Sequence, residues 1–125
     1  MSNSSEFYAN FKNQILLSIN TCMPCKVLAY NENTRTAKIQ PLFMVKEMNR
    51  PPEKLSVLED VPVLKQKYKV NGGATQEYVP ALSVGDTVLA VFCQRAIDDA
   101  AEGKLVYPGA SRLFDVHDAI IVGLL

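Results

Sequence analysis

Apolar residues near the start of the chain recur at intervals of four, as they do along one side of an α-helix. The residues at these positions are Phe7, Phe11, Ile15 and Ile19, with Tyr8 and Leu16 beside them. The stripe predicts an amphipathic helix within residues 1–21. Because such a stripe is stable only when it is buried, we expect the helix to pack on the domain that follows or on a neighbouring subunit.

After this helix the apolar residues follow the patterns of β-strands. The runs that predict strands are residues 26–30, 36–45, 60–70, 87–93 and 118–125. In the second run we expect Ala37, Ile39 and Leu42 to face the core. Pro41 predicts a bend, a bulge or an edge there, because it has no N–H to donate. The run at 87–93 is continuously apolar after Thr87, which predicts a strand buried on both faces.

The segments between these runs predict loops and one further helix. Residues 47–58 contain two adjacent prolines and residues 71–86 contain several glycines, so both predict loops. Residues 94–102 predict a short helix that ends at Gly103. The pattern as a whole predicts a mainly β fold, in which residues 22–125 form a small antiparallel five-stranded OB-like barrel. The N-terminal amphipathic helix precedes it, and the short helix lies between the last two strands; an SH3-like barrel has a similar strand count.

Charge and cysteine content narrow the function classes. Thirteen basic and 13 acidic residues give a formal net charge of zero, so no overall field attracts nucleic acid or an anionic membrane. No apolar run reaches the ~18 residues of a membrane span, so we expect no stable membrane insertion. The N-terminus lacks the basic start and apolar block of a signal peptide, which predicts folding in a cytoplasm. The odd number of cysteines, three, predicts free thiols.

Charged residues near the end of the fourth predicted strand suggest a structural clamp. Arg95 and Asp98 stand three apart, so they can share a helix face. Asp98 can also bond to Arg112, and Asp118 is placed to accept from Arg95. An arginine fork between carboxylates would tie the strand end, the short helix and the last strand together. The alternative is a solvated ion pair that contributes little.

Four residues could in principle form a zinc site of three cysteines and one histidine. They are Cys22, Cys25, Cys93 and His117. The motif "CMPC" has suitable spacing, but a second closely spaced ligand pair is missing. The same motif occurs in redox proteins, where it opens a helix after a strand, whereas here it precedes a strand. We therefore predict no metal site and no cofactor, and we interpret Cys93 as a small core residue.

The sequence gives even less support for a catalytic histidine or a phosphate-binding loop. His117 lies between Asp115 and Asp118, but no serine or cysteine is marked as a nucleophile beside it. We predict no catalytic residue and no enzyme activity. The stretch "NGG", residues 71–73, lacks the lysine and helix of a phosphate loop. We interpret it as a flexible tip that reaches a neighbouring subunit.

Nucleic-acid binding is the main alternative function, because OB barrels often bind single strands on a basic groove with aromatic platforms. The chain has one cluster of that type, which consists of Lys65, Lys67, Tyr68 and Lys69. With a net charge of zero, we predict no nucleic-acid partner.

Four segments occur in the order and spacing of a known family. They are "VLAYNENTRTAKIQP" (27–41), "DVPVL" (60–64), "PALSVGDTVLAVFCQRAIDD" (80–99) and "SRLFDVHDAIIVGL" (111–124). Together they resemble the N-terminal OB-fold domain of phage central spike proteins, the membrane-piercing tips of contractile tails. The resemblance runs from about Lys26 to Gly123. It departs at Phe114, where the family has histidine, and at His117, where a small polar residue is usual.

The resemblance implies a structural component of a phage or phage-like tail tip, in the baseplate hub or spike collar. Such a component is expected to form a symmetric ring, a homotrimer, that joins the tail tube or hub to the spike. Its expected partners are other tail or baseplate proteins and a separate spike tip, and its expected location is the virion tail tip after assembly in the bacterial cytoplasm. Because the chain has one histidine, we do not expect the paired-histidine iron apex of a complete needle. The residues expected to contact partners are Phe7, Tyr8, Phe11, Asn71, Gly72 and Gly73.

Overall fold

The computed structural model describes residues 3–108 and 112–125. Within these residues the chain forms two compact units. The barrel unit consists of Cys22–Val91 with Ala119–Leu125, and the terminal unit consists of Met1–Thr21 with Phe92–Asp118.

Helix α1 spans Asn3–Ser18. The strands of the described residues are, in chain order, β1 Cys22–Asn31, β2 Thr36–Pro41, β3 Met44–Val45, β4 Glu53–Lys54, β5 Leu58–Pro62, β6 Gln66–Tyr68, β7 Gln76–Tyr78, β8 Thr87–Phe92 and β9 Ala119–Leu124. Two 3-10 turns lie between β8 and β9, at Ala100–Glu102 and Val116–Asp118.

The main sheet has five strands in the order β5-β2-β1-β8-β9. β1 is antiparallel to both of its neighbours, and a bulge between Val27 and Ala29 interrupts its register with β2. Beyond the end of β5, Val63 forms a parallel bridge with Ile121 of β9, which links the two edges. The curled sheet is therefore a half-barrel, which confirms the predicted mainly β fold with an N-terminal helix.

Alternate residues of the curled sheet form the core, as a period of two requires. The largest fully buried apolar side chains are Val27, Ile39, Val88, Ile121 and Cys25. Two predictions about burial are wrong. Pro41, rather than Leu42, continues the buried face of β2. In β8, one face is buried and the other is half-buried, so an apolar run does not by itself require two covered faces.

The structure corrects the third predicted strand. β5 ends at Pro62, and β6 pairs with β7 in a separate two-stranded hairpin. At its tip the Gly73 N–H donates to the Val70 carbonyl at 2.9 Å. The two central residues, Asn71 and Gly72, have φ of 51° and 74°. Positive φ at both positions is the pattern of a type I′ hairpin turn, for which Asn-Gly is the preferred pair.

A second small hairpin, of β3 with β4, lies in a region predicted partly as strand and partly as loop. The short helix predicted at residues 94–102 is also shorter in the structure, where only Ala100–Glu102 form a 3-10 turn. The reason is that tertiary bonds occupy the backbone of the preceding residues. Arg95 pairs with Leu113 as an isolated bridge, and the Ile97 N–H donates to the Asp118 carboxylate. Gly103 ends the turn in a left-handed conformation, as predicted.

Candidate functional site

The terminal unit contains an ion cluster centred on Asp118, whose side chain is fully buried. The Arg112 guanidinium donates to both carboxylate oxygens: Nε donates to Oδ2 at 3.1 Å, and a terminal nitrogen donates to Oδ1. The other terminal nitrogen lies 3.2 Å from Oδ2 of Asp98. The Ile97 N–H adds a bond to Asp118 Oδ1 at 3.3 Å. One arginine therefore joins two carboxylates that are 20 positions apart in sequence.

The fork holds Arg112 in its charged form. Its hydrogen bonds to Asp118 raise the pKa of Arg112 above its usual value, with further contributions from the charges of Asp118 and Asp98. The Asp118 carbonyl also accepts the Cys93 N–H at 2.9 Å. The cluster thus connects the residues after β8 with the 3-10 turn before β9, which is the arrangement of a clamp.

Arg95 is not part of this clamp, and the structure corrects that assignment. Arg95 is exposed, and its side chain makes no hydrogen bond or ion pair with any residue that the structure describes. Residues 94–99 do not form a helix, so the three-residue spacing from Arg95 to Asp98 does not place the two side chains on one face. Arg112 supplies the guanidinium instead.

The two cysteines of the "CMPC" motif do not form a pair of metal ligands. Cys22 is exposed and Cys25 is buried, because residues three apart on β1 point to opposite faces of the sheet. Burial raises the pKa of the Cys25 thiol to about 11, and burial followed by the charge of Asp118 raises the pKa of Cys93. Among residues 3–108 and 112–125 no three histidine, cysteine or carboxylate side chains are grouped as metal ligands.

His117 belongs to a local turn. Its Nδ1 lies 2.6 Å from Asp115 Oδ1, and its backbone N–H donates to the same oxygen at 2.8 Å. These bonds lower the pKa of Asp115. The imidazole is exposed, so the pair caps the turn that begins at Val116, which is a structural arrangement.

The hairpin of β6 and β7 places the tyrosines and the lysines of the basic and aromatic cluster at residues 65–69 on two different faces. The rings of Tyr68 and Tyr78 lie 5.5 Å apart, centroid to centroid, so they share one face. Lys67 is next to Tyr68 in the strand and therefore points to the opposite face. Lys65 forms an ion pair with Glu77 at 2.8 Å. A single-stranded nucleic acid that stacked its bases on the tyrosines would therefore lie on the face of the hairpin opposite Lys65 and Lys67, where these lysines could not neutralise its phosphates.

A groove of about 610 Å³ lies along β1, β2 and β5 in the barrel unit. Its charged residues are Lys38, Glu59 and Asp60, and Lys38 is paired with Glu59 at 3.5 Å. The Tyr30 hydroxyl donates to the Pro80 carbonyl at 2.6 Å, and burial is the main cause that raises the pKa of Tyr30. With two carboxylates and one paired lysine, the groove does not attract a phosphate backbone.

A family model described as the phage protein Gp138 N-terminal domain matches residues 23–123. The chain belongs to this family. Comparison with curated proteins gave no match. The matched range includes all of the curled sheet except Cys22 and Leu124, together with the residues of the clamp, and it begins after α1.

Membership of the Gp138 N-terminal domain family confirms the resemblance to a phage tail-tip domain. Two residues of the motifs on which the resemblance rests have structural roles in this chain. Gly85, in the "VGD" turn, has φ of 96° and donates its N–H to the Val27 carbonyl at 2.9 Å. Asp118, in the last of the four motifs, is the buried centre of the clamp.

The residues predicted to contact partners lie on exposed parts of the chain. Phe7, Tyr8 and Phe11 of α1 are 63%, 68% and 54% exposed. Asn71, Gly72 and Gly73 form the exposed tip of the β6–β7 hairpin. Sequence reasoning missed this hairpin, although the Asn-Gly pair between two strand-like runs is a recognised signal for one. No helix in residues 3–108 or 112–125 is long and apolar enough to cross a membrane.

Proposed function

We propose that this chain is a structural component of a phage tail tip, at the baseplate hub or spike collar. The observation that carries the proposal is membership of the Gp138 N-terminal domain family over residues 23–123. In this role three copies form a symmetric ring that joins the tail tube or hub to the spike. No catalytic step is assigned to it, and its location is the virion.

Two exposed regions support a role in assembly. The aromatic residues of α1 leave apolar surface open, which is typical of protein contact sites. The β6–β7 hairpin pairs outside the main sheet and carries exposed tyrosines. We assign Phe7, Tyr8 and Phe11, together with the hairpin tip at Asn71–Gly73, to contacts with other copies or with other tail proteins, among them a separate spike tip.

The proposal is tested in assembled particles. A short epitope tag is added after Leu125, and particles are labelled with gold-coupled antibody and viewed by electron microscopy. We expect label at the tail tip, in a ratio to tail-tube protein that mass spectrometry gives as three copies per particle. Particles that form normally without the chain, or label along the whole tube, would contradict the proposal.

The alternative, an OB-fold protein for single-stranded nucleic acid, has a separate readout. Fluorescence anisotropy with a 30-nucleotide single strand at low and moderate salt should show no binding at micromolar protein. Binding that weakens steeply with salt would favour the alternative, because such a slope reports neutralised phosphates.

A further inference from the structure

Helix α1 has an apolar face and no buried residue. The apolar side chains on this face are those of Phe7, Tyr8, Phe11, Ile15 and Leu16. Ile19 follows directly after the end of the helix, and we call these six residues the α1 stripe. Phe7 and Phe11 are stacked, with ring centroids 6.1 Å apart and an angle of 7° between their planes. Phe7 also meets Tyr8 edge to face at 5.6 Å. The rings are therefore ordered against one another while their outer surface stays open.

Such a helix needs a partner to be stable. Isolated helices shorter than ~12–15 residues are marginal in water even when they are rich in alanine, and α1, with 16 residues, is only slightly longer. Its sequence contains three asparagines and several aromatic or β-branched residues, all of which are weaker helix formers than alanine. After the end of the helix, Asn20 donates to the Phe114 carbonyl at 2.8 Å. Burial of the α1 stripe would add the stabilisation that the helix sequence lacks.

The open area of the α1 stripe is sufficient for association between copies. Taking about 200 Å² for a whole aromatic side chain, the exposed fractions of Phe7, Tyr8 and Phe11 leave roughly 370 Å² open. Ile15, Leu16 and Ile19 are 45%, 56% and 36% exposed, and with them the stripe reaches roughly 600 Å² by the same reckoning. Two stripes together offer roughly 1,200 Å², the lower limit of specific interfaces.

The width of the stripe indicates how many neighbours it meets. At about 100° per residue, Phe7 and Leu16 lie roughly 180° apart around the helix axis, with the other members between them. A seam between two coiled helices is narrower than this. The α1 stripe therefore has room for two helical neighbours, as in a bundle of three helices.

We propose that the α1 stripes of neighbouring copies pack against one another, so that α1 is the element that holds the copies together. The proposal rests on the ring that is the proposed function, and it names the surface that makes the ring. The charges of α1 agree with packing of like helices, because its one acidic and one basic residue, Glu6 and Lys12, leave no net repulsion. A lipid surface fits less well, since helices that lie on membranes are rich in lysine and arginine on their polar face.

The test compares two matched substitutions in the full-length chain. Phe11→Ser removes a ring from the α1 stripe. Leu17→Ser removes an apolar side chain that is 83% exposed on the opposite side of the same helix. Both introduce serine, and because leucine is a better helix former than phenylalanine, Leu17→Ser lowers helix propensity at least as much as Phe11→Ser does. The association constant is measured by sedimentation equilibrium, and the protection of the α1 amides by hydrogen exchange at low and high protein concentration.

We expect the wild-type protein to form trimers and its α1 amides to become protected as concentration rises. Phe11→Ser should lower the association constant by about 30-fold or more, which is the effect of losing an aromatic hot-spot residue, and should abolish the protection. Leu17→Ser should stay within about threefold of wild type. The amides of β1, β2 and β8 should keep their protection from hydrogen exchange in both variants, because no residue of α1 is buried.

Several results would overturn the proposal. Trimers that persist in Phe11→Ser would place the contact elsewhere and would leave the tail-tip function standing. Equal effects of the two substitutions on the association constant would show that association does not depend on the α1 stripe in particular. A wild-type monomer at 100 μM whose α1 amides exchange freely would also contradict it. If the wild-type protein floated with vesicles of phosphatidylcholine and phosphatidylglycerol and Phe11→Ser did not, the α1 stripe would be a lipid-binding surface instead. Gold labelling of the particle decides the tail-tip function independently.

Discussion

Replacing Arg112 by alanine is the sharpest test of the clamp in the terminal unit. The Asp118 side chain is fully buried, and Arg112 donates to both of its oxygens. Without the guanidinium, the Ile97 N–H is the remaining donor that the structure shows to this carboxylate. Leaving a buried carboxylate without its counter-charge costs about 3–5 kcal/mol.

The lower end of that range is the appropriate expectation. The Arg112 side chain is itself 34% exposed, so water reaches the edge of the cluster and replaces part of the lost interaction. A loss of about 3 kcal/mol is a large share of the 5–15 kcal/mol that stabilises a typical domain. It corresponds to a fall in melting temperature of roughly 10 °C for a chain of this size.

Arg95→Ala is the matched control, because Arg95 is exposed and lies in the same segment without a described partner. We expect it to change stability by no more than about 0.5 kcal/mol. Asp98→Asn should cost about 1 kcal/mol or less, since Asp98 is mostly exposed and shares its ion pair with water.

The assay is urea unfolding followed by far-UV circular dichroism, with the midpoint and slope compared across the three variants. Hydrogen exchange at the Cys93 and Ile97 amides adds a local readout, because these N–H groups donate to the Asp118 residue. Equal midpoints for Arg112→Ala and Arg95→Ala, with unchanged exchange at both amides, would refute the clamp.

Two further predictions concern the barrel unit. At pH 8, iodoacetamide should label Cys22 in the native protein and Cys25 only after unfolding, as read by peptide mass spectrometry, because thiolate is the reactive form and burial raises the pKa of Cys25 to about 11. A Cys25 in the native protein that reacted as fast as Cys22 would contradict this. Because burial raises the pKa of Cys25 from its ordinary value of 9.0, the contribution of the un-ionised thiol to stability is complete below about pH 9 and is lost as the pH rises through 11. Gly85→Ala should cost about 1–2 kcal/mol in urea unfolding, because Gly85 has φ of 96°. Gly123→Ala is its control, since a Cβ added at Gly123 meets no atom within 4 Å and the position needs no positive φ. Equal effects of the two substitutions would argue against backbone strain at Gly85.

The elements that were predicted well are those whose signal is local. The spacing of Phe7, Phe11 and Ile15 predicted α1, and the apolar run after Thr87 predicted β8. Gly103 ends a helical turn because its backbone adopts positive φ without a steric cost. In each case the information lies in a few neighbouring residues, so the conformation can be predicted without knowledge of distant contacts.

The predictions that failed depended on distant residues. A helix at residues 94–102 is a reasonable local prediction, but bonds to Leu113 and Asp118 direct the backbone at Arg95 and Ile97 elsewhere. Hairpin β6–β7 was missed for a different reason: its local Asn-Gly signal was present but was interpreted as a flexible loop tip.

The sequence by itself determined the class of fold, the N-terminal helix and the family. It did so because periodicity and ordered motifs are properties of the chain that survive without knowledge of its contacts. It also contained all the members of the clamp, Asp98, Arg112 and Asp118, but with Arg95 as an equal candidate. Only the tertiary structure decided between the two arginines. Ion pairs depend on distance in space, and the turn at Val116–Asp118 buries Asp118 where Arg112 reaches both of its oxygens, while the side chain of Arg95 stays exposed to water.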